Sequence, residues 1–409
     1  MLRREARQIR DWSGFLFCRE IQARRYHLKR EKDAEEDKKR AEELAKIQSK
    51  DDLCKALSET VKHINSQTGV STLCRLWYNY RKFLMFENVF PMTKTYPDTV
   101  REFFHMFPDE KACLNYLIDL RWATGYLCPA CNRTSIPWRE SRNRLACPLC
   151  RHKVTVTAGT IFEKTRTPLT TWLDAAWHVT TAKNGMSAKT LERTLGTSYH
   201  VAWMMLQRFR VAMVNSERTK LSGTVEVDET FVGGEEHGGK RGRGTDKDIV
   251  VIAVEIKEGK GFGRTRMRHI PDASGTSLIP FIQDSISSDA TLVTDGWRGY
   301  NQVADYGYVR EIQNLSDSDD FTHVLMPGVH RVSSLLKRWI IGTHQGSVSG
   351  MHLQAYLEEY TFRFNRRNSR SRGLVFKRLL EHSLLTKPIT QADIVGGYWN
   401  NDDDEEEYF

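Results

Sequence analysis

The 409-residue chain holds no run of about 18 apolar residues, which excludes an ordinary membrane-spanning helix. Its first 30 residues are basic, yet they lack both an uninterrupted apolar core and a small-residue cleavage site. They do not read as a secretory leader. No internal repeat is found. Charge of one sign is only slightly in excess: 61 Lys+Arg against 52 Asp+Glu give a net charge of +9. That balance leans toward a polyanionic partner without identifying one. With 40% hydrophobic and 10% aromatic residues, the composition is that of a globular protein able to bury a core. The length suggests two or three domains.

Four of the eight cysteines (Cys18, Cys54, Cys74 and Cys113) share no spacing. The other four form two tight pairs, Cys128-Pro-Ala-Cys131 and Cys147-Pro-Leu-Cys150, with fifteen residues between them. Each pair makes a knuckle that turns two thiolates to one side, and two facing knuckles complete a tetrahedron with no open position. Disulfides or buried free thiols are the competing reading. Without an export signal the pattern reads as a structural Zn²⁺ site in a reducing compartment. Arg133, Arg139, Arg142 and Arg144, with Trp138 among them, form a basic, aromatic surface suited to phosphate contact. Whether that surface touches DNA or the ribbon only supports the next domain stays open at this point.

Composition shifts divide the chain further. Residues 1–91 read as a charged helical extension; acids and bases alternate over 30–43, and Met92 is a candidate start codon. Residues 92–165 combine a helical lead-in, with Phe103, Phe104, Phe107, Leu114, Tyr116, Leu117 and Leu120 as its apolar positions, and the cysteine pairs. In 166–218, Ser187 is placed to cap a helix carrying Ala188, Leu191 and Leu195. Gly196 ends that helix, Thr197-Ser198 start another, and Val201, Ala202, Met205 and Phe209 supply its apolar face. Two helices joined this way form a helix-turn-helix, or a plain structural hairpin. In the first case Tyr199, His200, Trp203, Gln207, Arg208 and Arg210 are expected to meet DNA. From 219 to 388 the pattern becomes α/β: Thr224–Val227 and Ile249–Val254 are short β-branched runs, separated by a flexible basic glycine-rich loop over 233–244. Residues 389–409 read as an acidic tail, with six consecutive acids over 402–407.

Asp228 follows one buried run and Asp295 follows another, Thr291-Leu292-Val293-Thr294. Carboxylates lifted to the edge of adjacent strands can share divalent cations for phosphoryl transfer, although strand-end Asp residues also serve as turn formers. Thirty-four residues separate Asp295 from His330, and Lys337 lies seven further on, nearly two helical turns away on the same face.

Here the sequence resembles the DDE transposases of bacterial insertion sequences, over roughly residues 95–385. The likeness rests on Val227-Asp228-Glu229-Thr230 followed by Gly233-Gly234, on Thr294-Asp295-Gly296-Trp297, and on the stretch from Lys337 through Gly346. It continues through His352-Leu353, Tyr356-Leu357-Glu358-Glu359 and Phe362-Arg363-Phe364-Asn365-Arg366-Arg367. The resemblance implies an RNase-H-like catalytic domain behind the zinc ribbon and helix-turn-helix, in a cytoplasmic, nucleoid-associated bacterial protein. It implies Mg²⁺ or Mn²⁺ held by Asp228, Asp295 and His330, with Lys337 on a terminal phosphate. His330 departs from the usual Glu; this group of transposases varies there, with Asn or His before the downstream Lys. The substrates implied are the element's inverted-repeat ends and target DNA, both double-stranded, handled by a homo-oligomer. Arg363, Arg366 and Arg367, with Arg370 and Arg372, would form a basic face along the duplex. A catalytically inactive DNA-binding relic or domesticated regulator is the alternative. A junction resolvase is a further rival, disfavoured by the ribbon and the helix-turn-helix.

Overall fold

Short polar side chains fix where several helices begin in the computed structural model. It describes residues 95–214, 219–233, 247–257, 259, 261–313, 326–346, 348 and 350–398, the side chain of Arg142 excepted. From Tyr96 onward these belong to the second of the chain's two units, Tyr96–Phe409. The charged helix expected over 30–43, the basic loop from 234 to 244 and the acidic run 402–407 lie outside the described residues.

Helix α1 (Val100–Met106) starts at Thr99, whose hydroxyl accepts the Glu102 amide at 3.2 Å. Helix α2 (Glu110–Arg121) starts at Asp109, whose carboxylate accepts the Ala112 amide at 2.8 Å. Five short strands follow: β1 (Tyr126–Leu127), β2 (Thr134–Ser135), β3 (Trp138–Arg139), β4 (Arg144–Ala146) and β5 (Lys153–Thr155). The first two pair with each other, and the other three form a second antiparallel sheet. Helix α3 (Leu169–Thr181) has no cap side chain of its own at Pro168. Glu110 supplies one from α2, accepting the amides of Leu169 and Thr170 at 2.9 and 3.1 Å.

Helix α4 (Ala188–Leu195) is capped by Ser187 and ends at Gly196, whose φ of 64° suits a residue without a Cβ. Ser198 then caps α5 (Tyr199–Met213). The hairpin read from the sequence is present, but α5 is enclosed: from Met205 to Met213 every residue except Arg208 is buried.

The larger sheet begins with a meander of β6 (Thr224–Val232), β7 (Asp248–Ile256) and β8 (Phe262–Ile270). After α6 (Gly275–Ser285) come β9 (Thr291–Asp295), a 3-10 segment (Arg298–Tyr306) and β10 (Val309–Gln313). The chain then enters α7 (Pro327–His344), α8 (Gly350–Asn365), α9 (Arg372–Leu385) and α10 (Gln391–Val395). Strand order is β10-β9-β6-β7-β8; β7 is antiparallel to both β6 and β8, whereas β9 runs parallel to both β6 and β10. Alternation divides the faces. Val225, Val227, Val251 and Leu292 pack toward α6, and Val250, Ile252, Val254 and Val293 pack toward α7 and α8.

One expectation needs revision. Asp228 is not at a strand end: β6 runs on to Val232, because β7 pairs with it from Thr224 to Val232. Only its pairing with β9 stops early, at Glu226↔Val293. Within the stretch read as an acidic tail, residues 389–398 are packed. Thr390 and Asp393 form a capping box for α10, and Ile389 and Ile394 are buried against Val211 of α5.

Candidate functional site

The cysteine knuckles repeat one backbone design. Asn132 and Arg151, each directly after the second cysteine of a pair, have positive φ of 49° and 61°. Their amides donate to the carbonyls of Cys128 and Cys147, both at 2.9 Å. The amides of Cys128 and Cys147 in turn donate to the carbonyls of Arg133 and His152. The four sulfurs lie within 4.8 Å of one another, with Cys128–Cys150 at 3.5 Å and Cys131–Cys147 at 3.9 Å. A tetrahedral zinc with Zn–S bonds of about 2.3 Å needs sulfurs roughly 3.8 Å apart, so the donor set fits. Desolvation raises the thiols, but the amides of Cys150 and Leu149 outweigh it and bring Cys147 down to about 6. Cys128 is lowered in the same way, against desolvation, by the amides of Cys131 and Ala130. Cys150 goes the other way: the His152 amide lowers it, but desolvation and the sulfurs of Cys128, Cys131 and Cys147 outweigh that and push it up to about 12. The backbone thus favours thiolate at Cys128 and Cys147, and the crowded sulfurs oppose it at Cys150.

The second site forms on the α7 face of the large sheet. Asp228 and Asp295 each lie two residues past the Glu226↔Val293 pair, on the neighbouring parallel strands β6 and β9. Asp295 closes β9, and its Oδ1 accepts the Trp297 amide at 3.0 Å. Arg310 of β10 clamps this end of β9, donating to Thr294 Oγ1 at 2.8 Å and to the Asp295 carbonyl at 2.9 Å. His330, in the first turns of α7, brings Nδ1 within 3.9 Å of Asp228 Oδ2. Lys337 is exposed on the same helix. Partial desolvation, then Lys247, lower its pKa, and Asp228 opposes them. Tyr300, wholly buried on the α6 side of the sheet, has its phenol pushed far up by burial, then by Glu229 and Asp228, and least by Asp295. Asp228, Asp295 and His330 do not close into one tight set. Among the described residues, only the four cysteines have ligand atoms all within 4.8 Å of one another.

Residues 220–365 match the ISXO2-like transposase domain, and residues 108–153 match the transposase zinc-ribbon domain. The chain thus carries an insertion-sequence transposase domain behind a transposase zinc ribbon. It is 28% identical over 279 residues to an uncharacterized protein in transposable element ISH50 of Halobacterium salinarum, covering 63% of this chain and 91% of the relative. An uncharacterized transposase-like protein of Haemophilus influenzae is 25% identical over 123 residues, 28% of this chain and 93% of that protein.

Most of the residues that sequence reasoning offered to DNA are turned inward in this chain. Gln207 is buried. Arg208 donates to the Ile161 carbonyl at 3.3 Å. Arg210 is buried on Glu359 at 2.9 Å and over the Tyr356 ring. Arg363 bonds Glu359 at 2.9 Å and the carbonyls of Ala182 and Val179. Arg366 and Arg367 lie over the rings of Phe362 and Phe364, both at 3.9 Å, and donate to main-chain carbonyls. These arginines close helix junctions; they do not form the expected basic face. Tyr199 and His200, in the first turn of α5, are exposed, as are Arg370 and Arg372. On the ribbon, Arg133, Trp138, Arg139, Arg151 and Lys153 are exposed. Sequence reasoning missed Glu226 and Arg310; the polar Glu226 inside a buried run was the one available signal. No helix among the described residues is long and apolar enough to cross a membrane.

Proposed function

We propose that this chain cuts the ends of an insertion sequence and joins them to target DNA, with Asp228, Asp295 and His330 around the reacting phosphate of an RNase-H-like domain. One observation carries the reading: carboxylates from the parallel strands β6 and β9, each two residues beyond the last pair of their ladder, lie on the sheet face where an imidazole stands 3.9 Å from Asp228. The strand order β10-β9-β6-β7-β8, three antiparallel strands beside two parallel ones, supports the RNase-H-like assignment.

Mg²⁺ or Mn²⁺ held by Asp228 and Asp295, with His330, would supply activation of the attacking oxygen and stabilisation of the leaving one. Two carboxylates suit either ion, and an imidazole suits Mn²⁺ better. In the first transfer a water oxygen bonds to phosphorus as the bond to the 3′ oxygen breaks, leaving a free 3′-hydroxyl. That hydroxyl then attacks a target phosphodiester, forming one P–O bond as another breaks. Lys337 holds a neighbouring phosphate as a point charge. Arg310 and the Trp297 amide keep Asp295 in place throughout. Tyr199, His200 and the ribbon's exposed Arg133, Trp138 and Arg151 would contact duplex ends, in a homo-oligomer assembled on DNA.

Labelled element ends incubated with the purified protein and Mn²⁺ or Mg²⁺ should be cut. Asp228→Asn and Asp295→Asn should abolish cutting and spare end binding. His330→Glu should raise Mg²⁺-supported activity. Cutting by Asp228→Asn at the wild-type rate would put the active site elsewhere. Having His330 where most DDE enzymes have Glu favours a second reading, an inactive DNA-binding relic. End binding without cutting in either cation would decide for it.

A further inference from the structure

Glu226-Val227-Asp228-Glu229-Thr230 runs through the middle of β6, and the period of two puts Glu226, Asp228 and Thr230 on one face. That face lies under α7, and the three side chains meet the helix in order. Glu226 Oε2 accepts the Val329 amide at 2.8 Å. Asp228 Oδ2 lies 3.9 Å from His330 Nδ1. Thr230 Oγ1 accepts the Ser333 hydroxyl at 2.8 Å.

Glu226 is only 4% exposed, where a carboxylate is costly unless donors compensate it. The donors here are amides at the start of a helix, which lack intrahelical partners and carry the positive end of its dipole. Helix α7 needs such a partner: it opens with Pro327 after Met326, and no side chain of its own caps it. Gly328 permits the close approach. A Cβ there would stand 2.6 Å from Ile256 Cδ1 and 2.9 Å from Glu226 Oε2.

We infer that Glu226 is a positioning residue that caps α7 from 103 residues away and sets the height and rotation at which His330 and Lys337 stand over Asp228. The inference rests on the active site proposed above. Thr230–Ser333 fixes the next turn of the helix, so the strand's polar face holds α7 on both sides of the Asp228–His330 pair. A shift of α7 by even a fraction of a turn would separate that pair while leaving the apolar packing of Val332, Leu336 and Ile340 largely in place.

The test uses full-length Glu226→Ala, Glu226→Gln and Gly328→Ala beside wild type and Asp228→Asn. Each is measured for binding to labelled element ends, for single-turnover cutting in Mn²⁺ and for amide exchange along α7. Glu226→Ala should lose protection over 327–333 and cut on the order of a hundredfold more slowly, with end affinity unchanged. Glu226→Gln keeps an acceptor oxygen and should restore most of the protection and most of the rate. Gly328→Ala keeps the carboxylate but obstructs the approach, and should slow cutting as Glu226→Ala does. If Glu226→Ala does not fold, the other two variants carry the test. Wild-type protection and rate in Glu226→Ala would overturn the inference. So would a Glu226→Gln protein as inactive as Asp228→Asn with its α7 protection intact, since that marks a metal ligand. If Asp228→Asn itself cuts normally, the active-site reading fails, and the exchange data still decide whether Glu226 anchors α7.

Discussion

His344 lies between the rings of Trp339 and Tyr356, with centroid separations of 4.8 and 4.6 Å. Burial, then Arg210, lower its pKa to about 4; Glu359 opposes this and Arg363 adds to it. An unfolded imidazole titrates near 6.5, so between about 6.5 and 4 the unfolded chain holds a proton that the folded chain refuses. Stability is therefore complete above about 6.5 and falls as the pH drops toward 4. His344→Phe should flatten this acid limb, by on the order of 1–2 kcal/mol at pH 5, read from urea midpoints at pH 7 and pH 5. Part of the slope should survive, because His352 and His382 are lowered by burial as well. Arg210 and Glu359, side by side at 2.9 Å, show what a linear reading misses at this level. In the sequence Arg210 is a cation on a helix offered to DNA, and only folding supplies the carboxylate 149 residues away that claims it.

The zinc ribbon contains few apolar residues of its own: Tyr126, Leu145 and Val154 join Cys128 and Cys147 in its small core. A core of that size cannot hold five short strands without a metal. Protein purified without added metal should contain about one zinc per chain by elemental analysis. Cys147→Ser should open 126–155 to protease while the large sheet stays resistant. A ribbon equally protected without zinc would count against the assignment. Here the sequence was legible, because ligand spacing is local. It was less legible in the strands and in α5. The length of β6 is set by pairing with β7, and a run of β-branched residues carries no record of its partner. The burial of α5 comes from α3, α8, α9 and α10 closing around it, and the capped hairpin alone looked like a groove reader.

Phe376 of α9 joins segments far apart in sequence, with ring centroids 5.8 Å from Phe103, 5.9 Å from Phe107 and 5.7 Å from Trp177. One apolar core thus contains α1 to α5 together with the end of α8 and all of α9, on both sides of residue 219. Phe376→Ala should cost about 3–5 kcal/mol, and thermal unfolding should show the ribbon-side helices loosening together with α9. Independent melting of residues 96–213 in that variant would show that the shared core is not cooperative.

The sequence by itself determined the features that local chemistry fixes. The zinc knuckles follow from ligand spacing, and the starts of α4 and α5 follow from Ser187 and Ser198. The order of elements followed from the change in hydrophobic period. His330 and Lys337 were read onto one face of a helix because seven residues are nearly two turns. Tertiary structure alone decided which charges face solvent and which face each other. It turned Arg363, Arg366 and Arg367 onto rings and carbonyls, and it set Asp228 on a strand beside the one that Asp295 closes, with His330 3.9 Å from Asp228. It also seated Glu226 on amides 103 residues away. The physical reason is the same in each case: burial and hydrogen-bond partners over such separations exist only after the chain has closed on itself, whereas spacing, capping and periodicity are properties of neighbours.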